Sequence, residues 1–171
     1  MPEPTGEVAA LVGVQSRFGA PPVIAAARGM SHFGEHAAGW MALSAAGALV
    51  FPGRRREWLL VGIGAVAAHA AAIVIKVAVR RSRPNHPDVA VNVGTPSALS
   101  FPSAHATSST AAAILLCRTT RSPLPLAAVP LMALSRLVLG VHYPSDVLAG
   151  IAVGGAVGWA TSELGAREGA K

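Results

Sequence analysis

The longest apolar stretch of the chain, residues 57–79, constrains the fold more than any other feature. It is long enough to cross a bilayer as one helix, since a crossing takes about 20 mostly apolar residues. Charged residues make up only 13% of the sequence and apolar residues 52%, whereas a soluble domain carries about 25% charge. Ala, Val, Leu and Gly dominate, which favours helices that pack closely in membranes. The sequence therefore predicts an all-α integral-membrane protein.

Four further apolar segments accompany this stretch in a chain short enough for one domain. We expect a bundle of about five transmembrane helices, over residues 35–51, 57–79, 104–118, 123–139 and 145–163. Several are shorter than a perpendicular crossing requires, so we expect some to be buried against neighbours, with their ends opening into a water-filled pocket.

The two ends of the chain differ from this apolar centre. Residues 1–34 hold two short segments, the first amphipathic, separated by Gly and Pro, which predict a pair of short helices lying in the interface or packed on the edge of the bundle; a true span is the alternative. The chain thus divides into N-terminal interfacial helices (1–34), a transmembrane core (35–164) and a polar tail (165–171).

Charge and cysteine content restrict the partners. The net charge of +6 indicates the lipid bilayer rather than nucleic acid, because no continuous basic face with interleaved aromatic residues is present. A single cysteine, Cys117, excludes an intramolecular disulfide and a cysteine metal cluster. The N-terminus lacks the basic region of a cleaved signal peptide. The oligomeric state stays open, with a homo-oligomer among the options.

Three polar segments carry groups suited to phosphoryl transfer, and the first is Lys76-x6-Arg83-Pro84. Its two cations are two helical turns apart and share a face if the helix continues. Arg can bind phosphate oxygens in bidentate fashion, while Lys acts as a point charge. Arg80 and Arg81, between them, are interpreted as interfacial residues whose side chains reach the head groups.

The second segment, Pro102-Ser103-Ala104-His105, precedes an apolar helix. Ser103 is a typical helix N-cap. The start of a helix offers free backbone N–H groups and a positive dipole end to an anion. We therefore expect His105, in the first turn, to point at whatever this helix start binds.

The third segment is Ser135-Arg136-x5-His142-x3-Asp146. Arg136 adds a third cation. Asp146 can accept the Nδ1–H of His142, which fixes the tautomer whose Nε2 is free to attack phosphorus. A His-x3-Asp pair alone is a weak signal of a functional site. When it follows the two upstream segments in this order, the combination is specific.

The order and spacing of these segments resemble the signature motifs of the type 2 phosphatidic acid phosphatase superfamily, which also includes vanadium haloperoxidases. The resemblance implies a lipid phosphatase in which His142 is the nucleophile, Asp146 orients it and His105 protonates the leaving oxygen. The family usually has Gly where this chain has Ala104, a change that keeps the backbone N–H. The resemblance also implies the groups that hold the phosphoryl oxygens: Lys76, Arg83, Ser103, Arg136 and the Ala104 amide.

No metal or other cofactor is expected. Asp88 and Asp146 are the only two Asp residues of the sequence, so the carboxylate cluster that Mg²⁺ requires is missing.

Four more histidines fall outside the motifs. His32 and His36 precede the first span and are interpreted as interfacial or head-group contacts rather than metal ligands. His69 is expected to be hydrogen-bonded inside the bundle, although an ionisable group at that depth is a functional candidate. His86 is interpreted as a solvated loop residue.

Three stretches that extend beyond the motifs resemble a short actinobacterial branch of the superfamily: ARGMSHFGEH, VNVGTPSALSFPSAHATSS and LSRLVLGVHYPSDVLAG. This resemblance implies a polyprenyl-linked substrate, a decaprenyl-linked ribose that loses its 5-phosphate during synthesis of cell-wall arabinan precursors. Polyprenyl diphosphate and phosphatidylglycerophosphate are the alternative substrates. A haloperoxidase is disfavoured because those chains are larger and soluble, and an inactive scaffold because every motif residue is present.

Loop charges predict the orientation. By the positive-inside rule, the more basic side of the bundle faces the cytoplasm. The three motifs then lie on the extracytoplasmic face of the plasma membrane. The residues that define the basic side are Arg54, Arg55, Arg56, Arg118, Arg121, Arg167 and Lys171.

Overall fold

The structure, a computed structural model, describes residues 5–169, and side chains from residue 5 to residue 166. Within this range the chain is almost entirely helical, and the only β-type pairing is an isolated antiparallel bridge between Ser82 and Leu99. Short 3₁₀ turns, Glu35–Ala37, Pro52–Arg54 and Leu124–Ala127, lead into three of the helices. The α-helices are α1 (Gly6–Phe18), α2 (Pro21–Gly34), α3 (Ala38–Val50), α4 (Arg55–Val79), α5 (Ala104–Thr120), α6 (Ala128–Val138) and α7 (Pro144–Gly169).

The helix boundaries follow local chemistry. Pro21 and Pro144 stand in the first turns of α2 and α7, where the missing N–H is not needed. Ser103 caps α5, and its hydroxyl accepts a hydrogen bond from the Ala106 amide at 3.4 Å. This confirms the predicted N-cap. The helices α4 and α5 end where Arg80 and Arg121 adopt left-handed backbone, with φ of 56° and 54°.

The predicted membrane bundle is confirmed, and the helices differ in how they can cross. Two segments are long and apolar enough to span a membrane alone, Pro52–Val79 and Pro144–Ala166. Gly6–Phe18 and Pro21–Val50 meet the same test only together, and they are bent by 115° where they join. The segment Leu124–Val138 is apolar but shorter. Of the described residues, therefore, two or three segments can span by length and composition, and the other predicted spans are shorter helices.

The first predicted span needs a correction. The sequence predicts it over 35–51, but α3 begins at Ala38 because His36 and Ala37 both adopt left-handed backbone, with φ of 51° and 59°. Two such residues in succession interrupt the helix between α2 and α3. The two predicted N-terminal segments are present as α1 and α2. The helix α7 continues through Gly169, and the last two residues of the predicted polar tail lie outside the described range.

The helix α5 forms the centre of the bundle, packed against α4, α6 and α7. Its side chains are mostly small, Ala, Ser and Thr, and those from Ala106 to Ala113 are all buried. Hydroxyl groups on this helix are satisfied internally: Thr107 and Thr110 donate to carbonyls one turn earlier, at 2.8 Å each. Small residues let the neighbouring helices approach closely, as in other membrane bundles.

A glycine stripe on α7 sets the contact with α5. Gly150, Gly154 and Gly158 are four residues apart and share one face. A Cβ at Gly154 would lie 2.3 Å from the Thr107 carbonyl oxygen, so no side chain fits there. This close packing brings the N-terminal ends of α5 and α7 together, where the Ser103 amide donates to the Asp146 carbonyl at 2.9 Å.

The basic residues of the α4 start and the α5 end lie at one end of the bundle. Arg118 contacts Glu163 of α7, with 3.5 Å between Nη2 and Oε1, and Arg56 lines a surface depression together with Arg118. The three motifs lie at the opposite end. Of the remaining basic residues assigned to this side, Lys171 falls outside the described residues.

Candidate active site

The three polar segments converge on one cavity of about 350 Å³ between α2, α4, α6, the start of α5 and the loop over 80–102. Ser103 and Asp146 are completely buried and support its wall from behind. The predicted site residues that line the cavity directly are Lys76, Arg83, Ala104, His105, Arg136 and His142.

The loop that closes this cavity is fastened to α1 and α6 by amide side chains. Gln15 of α1 accepts from the Ala90 amide at 3.0 Å and donates to the Ala90 carbonyl at 2.7 Å. Asn92 donates to the Val138 carbonyl at 3.1 Å. A Cβ at Gly140, whose φ is +69°, would lie 2.2 Å from the Ala90 carbonyl oxygen, so the loop can approach only a glycine here.

His142 has the tautomer that a nucleophile needs. Its Nε2 lies 3.3 Å from Nη1 of Arg83, and because a guanidinium can only donate, Nε2 must accept and therefore carries a lone pair. The proton is then on Nδ1, which faces Oδ2 of Asp146 at 3.7 Å and has no closer partner. That distance is longer than a hydrogen bond, and such contacts tighten when charge develops on the ring.

Burial controls the charge of this imidazole. His142 is almost wholly enclosed, and this desolvation, with the Arg83, Lys76 and Arg136 cations nearby, lowers the pKa of His142 to about 4, although Asp146 opposes the shift. The ring is therefore neutral at pH 7, as nucleophilic attack requires.

The carboxylate of Asp146 is held by two groups at the first turn of α7. Its Oδ2 accepts from the Tyr143 amide at 2.8 Å, and its Oδ1 accepts from Nη1 of Arg81 at 3.0 Å. The first of these bonds is one half of a capping box, in which the third residue of a helix binds the amide of the cap. Asp146 thus organises the helix start as well as facing His142.

Arg81 does not have the interfacial role predicted for it. Besides Asp146, it donates to Ser145 Oγ and to Glu7 Oε2, at 2.6 Å each, and its guanidinium lies 4.1 Å over the Tyr143 ring. Glu7 of α1 in turn accepts from the Ser145 amide at 2.8 Å. Sequence reasoning missed both residues because their partners are more than 60 positions away, and no local pattern distinguishes Arg81 from Arg80.

The three predicted phosphate-binding cations reach the cavity from separate elements. Lys76 donates to the carbonyls of Leu99 and Pro102, at 3.1 Å each. Lys76 and Arg83 would share a helical face only if the helix continued, and it does not, because α4 ends at Val79 and Arg83 lies in the following loop. They converge because that loop folds back over the helix end.

Arg83 and Arg136 differ in how many guanidinium N–H groups have a hydrogen-bond partner in the protein. Arg83 donates to the carbonyls of Ser97 at 2.8 Å and Val141 at 2.6 Å, and burial lowers its pKa from the usual value. Arg136 is 2% exposed; its Nε lies 3.3 Å from Ser135 Oγ, and its Nη2 has no protein partner. A buried, unpartnered guanidinium N–H on a cavity wall suits an anionic oxygen.

His105 is oriented by α2. Its Nε2 donates to the Ser31 carbonyl at 2.9 Å, so Nδ1 is the ring nitrogen that remains for proton transfer while this bond is in place. A Cβ at Gly34 would lie 2.7 Å from the His105 ring. The break after Gly34 therefore packs directly on this histidine.

The other histidines divide into two groups. His32, His36 and His69 line the cavity, whereas His86 does not and instead contacts Asp88 at 3.6 Å. The hydrogen bond expected for His69 is absent at Nδ1, which is buried without a partner. Among the described residues, no group of three or more His, Cys, Asp or Glu side chains could hold a metal ion.

Comparison with known proteins gives concordant results. Residues 57–169 match the model of the PAP2 superfamily. Decaprenylphosphoryl-5-phosphoribose phosphatase of Mycolicibacterium smegmatis is 68% identical over 148 residues, 86% of this chain and 82% of that protein. The phosphatase of the same name from Mycobacterium tuberculosis is 60% identical over 163 residues, 95% of this chain and 92% of that protein.

A solved structure supports the fold. The crystal structure of a transmembrane PAP2 type phosphatidylglycerolphosphate phosphatase from Bacillus subtilis is similar with a TM-score of 0.73. The likeness covers 93% of this chain and 86% of that one at 20% sequence identity, a level at which it speaks for the fold alone.

Proposed function

The chain belongs to the PAP2 superfamily, and we propose that this integral-membrane phosphatase removes the 5-phosphate from decaprenylphosphoryl-5-phosphoribose. The products are decaprenylphosphoryl-ribose, a precursor for cell-wall arabinan, and inorganic phosphate. Identity of 60% and 68% to two phosphatases of that name, over most of the chain, carries the choice of substrate. The convergence of two imidazoles and three cations on one cavity supports the reaction class.

The first step forms a phosphohistidine. Nε2 of His142 attacks phosphorus, and the bond from phosphorus to the ribose 5-oxygen breaks. His105 enters this step protonated on both ring nitrogens, a form that the negative charge of the bound phosphate favours, and gives its Nδ1 proton to that oxygen, so the leaving group departs as an alcohol. Asp146 stabilises the positive charge that forms on the His142 ring. The lone pair on Nε2 and the position of Asp146 beside Nδ1 support these roles.

The second step hydrolyses this intermediate. Water attacks phosphorus, gives its proton to His105 and displaces Nε2 of His142, so both histidines return to their starting states. In both steps Lys76, Arg83 and Arg136, with the Ala104 amide, hold the phosphoryl oxygens. Ser103, expected to contact them, lies behind the cavity wall and positions that amide as the cap of α5. Catalysis then rests on positioning and charge stabilisation by protein cations, without a metal.

The site lies on the extracytoplasmic face of the plasma membrane in this proposal. The support is the separation of the Arg54–Arg56 and Arg118 cluster from the cavity by the length of the bundle. A lipid-linked substrate would then reach the site from the outer leaflet.

The experiment that tests the proposed function is a side-by-side assay of the purified protein in detergent. Phosphate release is measured from decaprenylphosphoryl-5-phosphoribose, a polyprenyl diphosphate and phosphatidylglycerophosphate. The phosphoribosyl lipid is expected to have the highest kcat/KM of the three. A higher value for either alternative substrate would contradict the proposal.

A further inference from the structure

The cavity extends well beyond the groups that hold the phosphoryl group, and this second part, the histidine half, is formed by Glu35, His36 and His69. Resting on the proposed function, we propose that the histidine half is a subsite for the hydroxyl groups of a sugar leaving group, through which the protein distinguishes a phosphorylated sugar lipid from other phosphomonoester lipids.

The position of His69 fits such a subsite. His69 and Lys76 are seven residues apart on α4, about 10 Å along the helix axis, and both line the cavity. If the phosphoryl group is bound at Lys76, a leaving group that extends along the cavity from phosphorus therefore approaches His69. Nδ1 of His69 has no protein partner, so no hydrogen bond at that nitrogen fixes the tautomer of this ring. A neutral imidazole can donate and accept, as a hydroxyl group does.

The backbone at His36 points to the same site. His36 has a left-handed φ of 51°, followed by 59° at Ala37, and neither residue is glycine. Such backbone is uncommon for residues with a side chain and gathers at functional sites. Here it turns the His36 ring toward the cavity, where it faces His69 with 5.9 Å between ring centroids. Glu35 of the same turn brings the one carboxylate among the cavity-lining residues, and carboxylates accept hydrogen bonds from hydroxyl groups.

The distribution of charge agrees with a substrate that carries a second anion. Three of the four lysine and arginine side chains that line the cavity lie at its phosphoryl end, and the fourth is Arg28 of α2. Nε of Arg28 donates to the Asn92 carbonyl at 2.7 Å, which holds the side chain beside the loop. A phosphodiester that joins a sugar to its lipid would find this cation in the same cavity, about two helical turns before Glu35 along α2.

The exit for the lipid chain lies on the same side. Ile73 and Val77 of α4 line the cavity and are 46% and 64% exposed on the outer surface of the bundle. A prenyl chain can therefore leave between α2 and α4 directly into the bilayer while the sugar stays in the histidine half.

The test compares two lipids on the full-length protein: a short-chain prenylphosphoryl-5-phosphoribose and phosphatidic acid, whose leaving group has no other hydroxyl. The variants are His36→Gly, His69→Leu and Glu35→Gln. Each should lower kcat/KM for the sugar lipid about tenfold, mainly through KM, as loss of a hydrogen bond to substrate predicts. Turnover of phosphatidic acid should stay within about twofold, which also shows that the variants fold.

The matched control is Ala37→Gly. It relaxes the same left-handed turn but removes no polar group, so both rates should stay at the wild-type level. A parallel loss on both lipids, or an unchanged preference in all three variants, would overturn the subsite. A wild-type protein that does not prefer the sugar lipid would instead contradict the proposed function itself, which keeps the two failures distinguishable.

Discussion

Asp146 is the residue through which α1 and the start of α7 are joined at the site. Arg81 binds one of its carboxylate oxygens and also Glu7 of α1, and Glu7 binds the amide of Ser145. These contacts fix the carboxylate that faces His142. A buried carboxylate with one oxygen left unpaired would turn away from the imidazole or lose its charge.

Removal of Arg81 should therefore slow the chemical step rather than weaken substrate binding. Arg81→Gln is expected to lower kcat about tenfold or more with little change in KM, because Asp146 is no longer held beside His142. The control is Arg80→Asn, which replaces the neighbouring cation by a residue that tolerates left-handed backbone. An equal loss in both variants would mean that Arg81 acts only through the charge of the surface.

His105 and His142 should fail differently when each is replaced by alanine. His142→Ala should abolish turnover of every phosphoester, because no covalent intermediate can form. His105→Ala should lower the rate on the sugar lipid by about 10²–10⁴-fold but retain much of the hydrolysis of nitrophenyl phosphate, whose leaving group needs no proton. The measurement is the ratio of the two rates. Equal loss on both substrates would assign His105 to phosphate positioning.

The protonation of His142 can be measured directly. Burial, with cations nearby, lowers the pKa of His142 to about 4, below about 6.5 for an unfolded histidine. The unfolded chain then binds a proton first, so this group's contribution to stability is complete above pH 6.5 and is lost as the pH falls toward 4. NMR of ¹⁵N-histidine-labelled protein, assigned with His142→Ala, should show a neutral ring at pH 6. A protonated ring at pH 6 would contradict this assignment.

At the scale of the helices, the contact of α5 with α7 decides the geometry of the site. Gly154→Ala places a methyl group 2.3 Å from the Thr107 carbonyl, so the helices must separate. Overpacking of this kind costs about 1–3 kcal/mol, and it also moves Ser103 away from Asp146. We expect a lower Tm and lower kcat/KM. Gly155→Ala is the control, because no atom lies within 4 Å of its added Cβ. Equal behaviour of the two variants would show that the stripe does not set the spacing.

The elements that the sequence predicts well are those governed by neighbouring residues. The five apolar helices and the Ser103 cap follow from apolar content, from Pro and Ser at known offsets, and from the length of the apolar segments. The path of the chain after Val79 could not be predicted, because Arg83 is held in the cavity by hydrogen bonds to the carbonyls of Ser97 and Val141, which are distant in the sequence. The role of Arg81 was missed for the same reason. The break at His36 could not be located from the sequence, because Gly34 precedes it by two residues while the left-handed residues themselves, His36 and Ala37, are not glycine.

For the whole molecule, the two ends of the bundle differ in kind. At one end, arginines line a surface depression whose described lining residues include no histidine. At the other end, buried imidazoles and cations surround the cavity of the candidate site. This division is consistent with a substrate that enters from one leaflet, because its phosphoryl group can then stay in water while its prenyl chain stays in lipid.

The orientation of the bundle can be tested by cysteine labelling of intact cells with a membrane-impermeant maleimide. In a Cys117→Ala background, Asp88→Cys should be labelled from outside, because Asp88 is exposed in the loop beside the cavity. Gly53→Cys should be labelled only after the cells are opened, since it adjoins Arg54 and Arg55 on the side that the positive-inside rule assigns to the cytoplasm. Gly53 has no atom within 4 Å of an added Cβ, so the substitution fits.

Retained phosphatase activity in both cysteine variants is the control for folding. Protection of position 88 together with labelling of position 53 in intact cells would reverse the orientation and place the cavity in the cytoplasm. A lipid dephosphorylated there would belong to the inner leaflet, whereas the expected pattern requires that the prenyl-linked substrate be present in the outer leaflet before this enzyme acts.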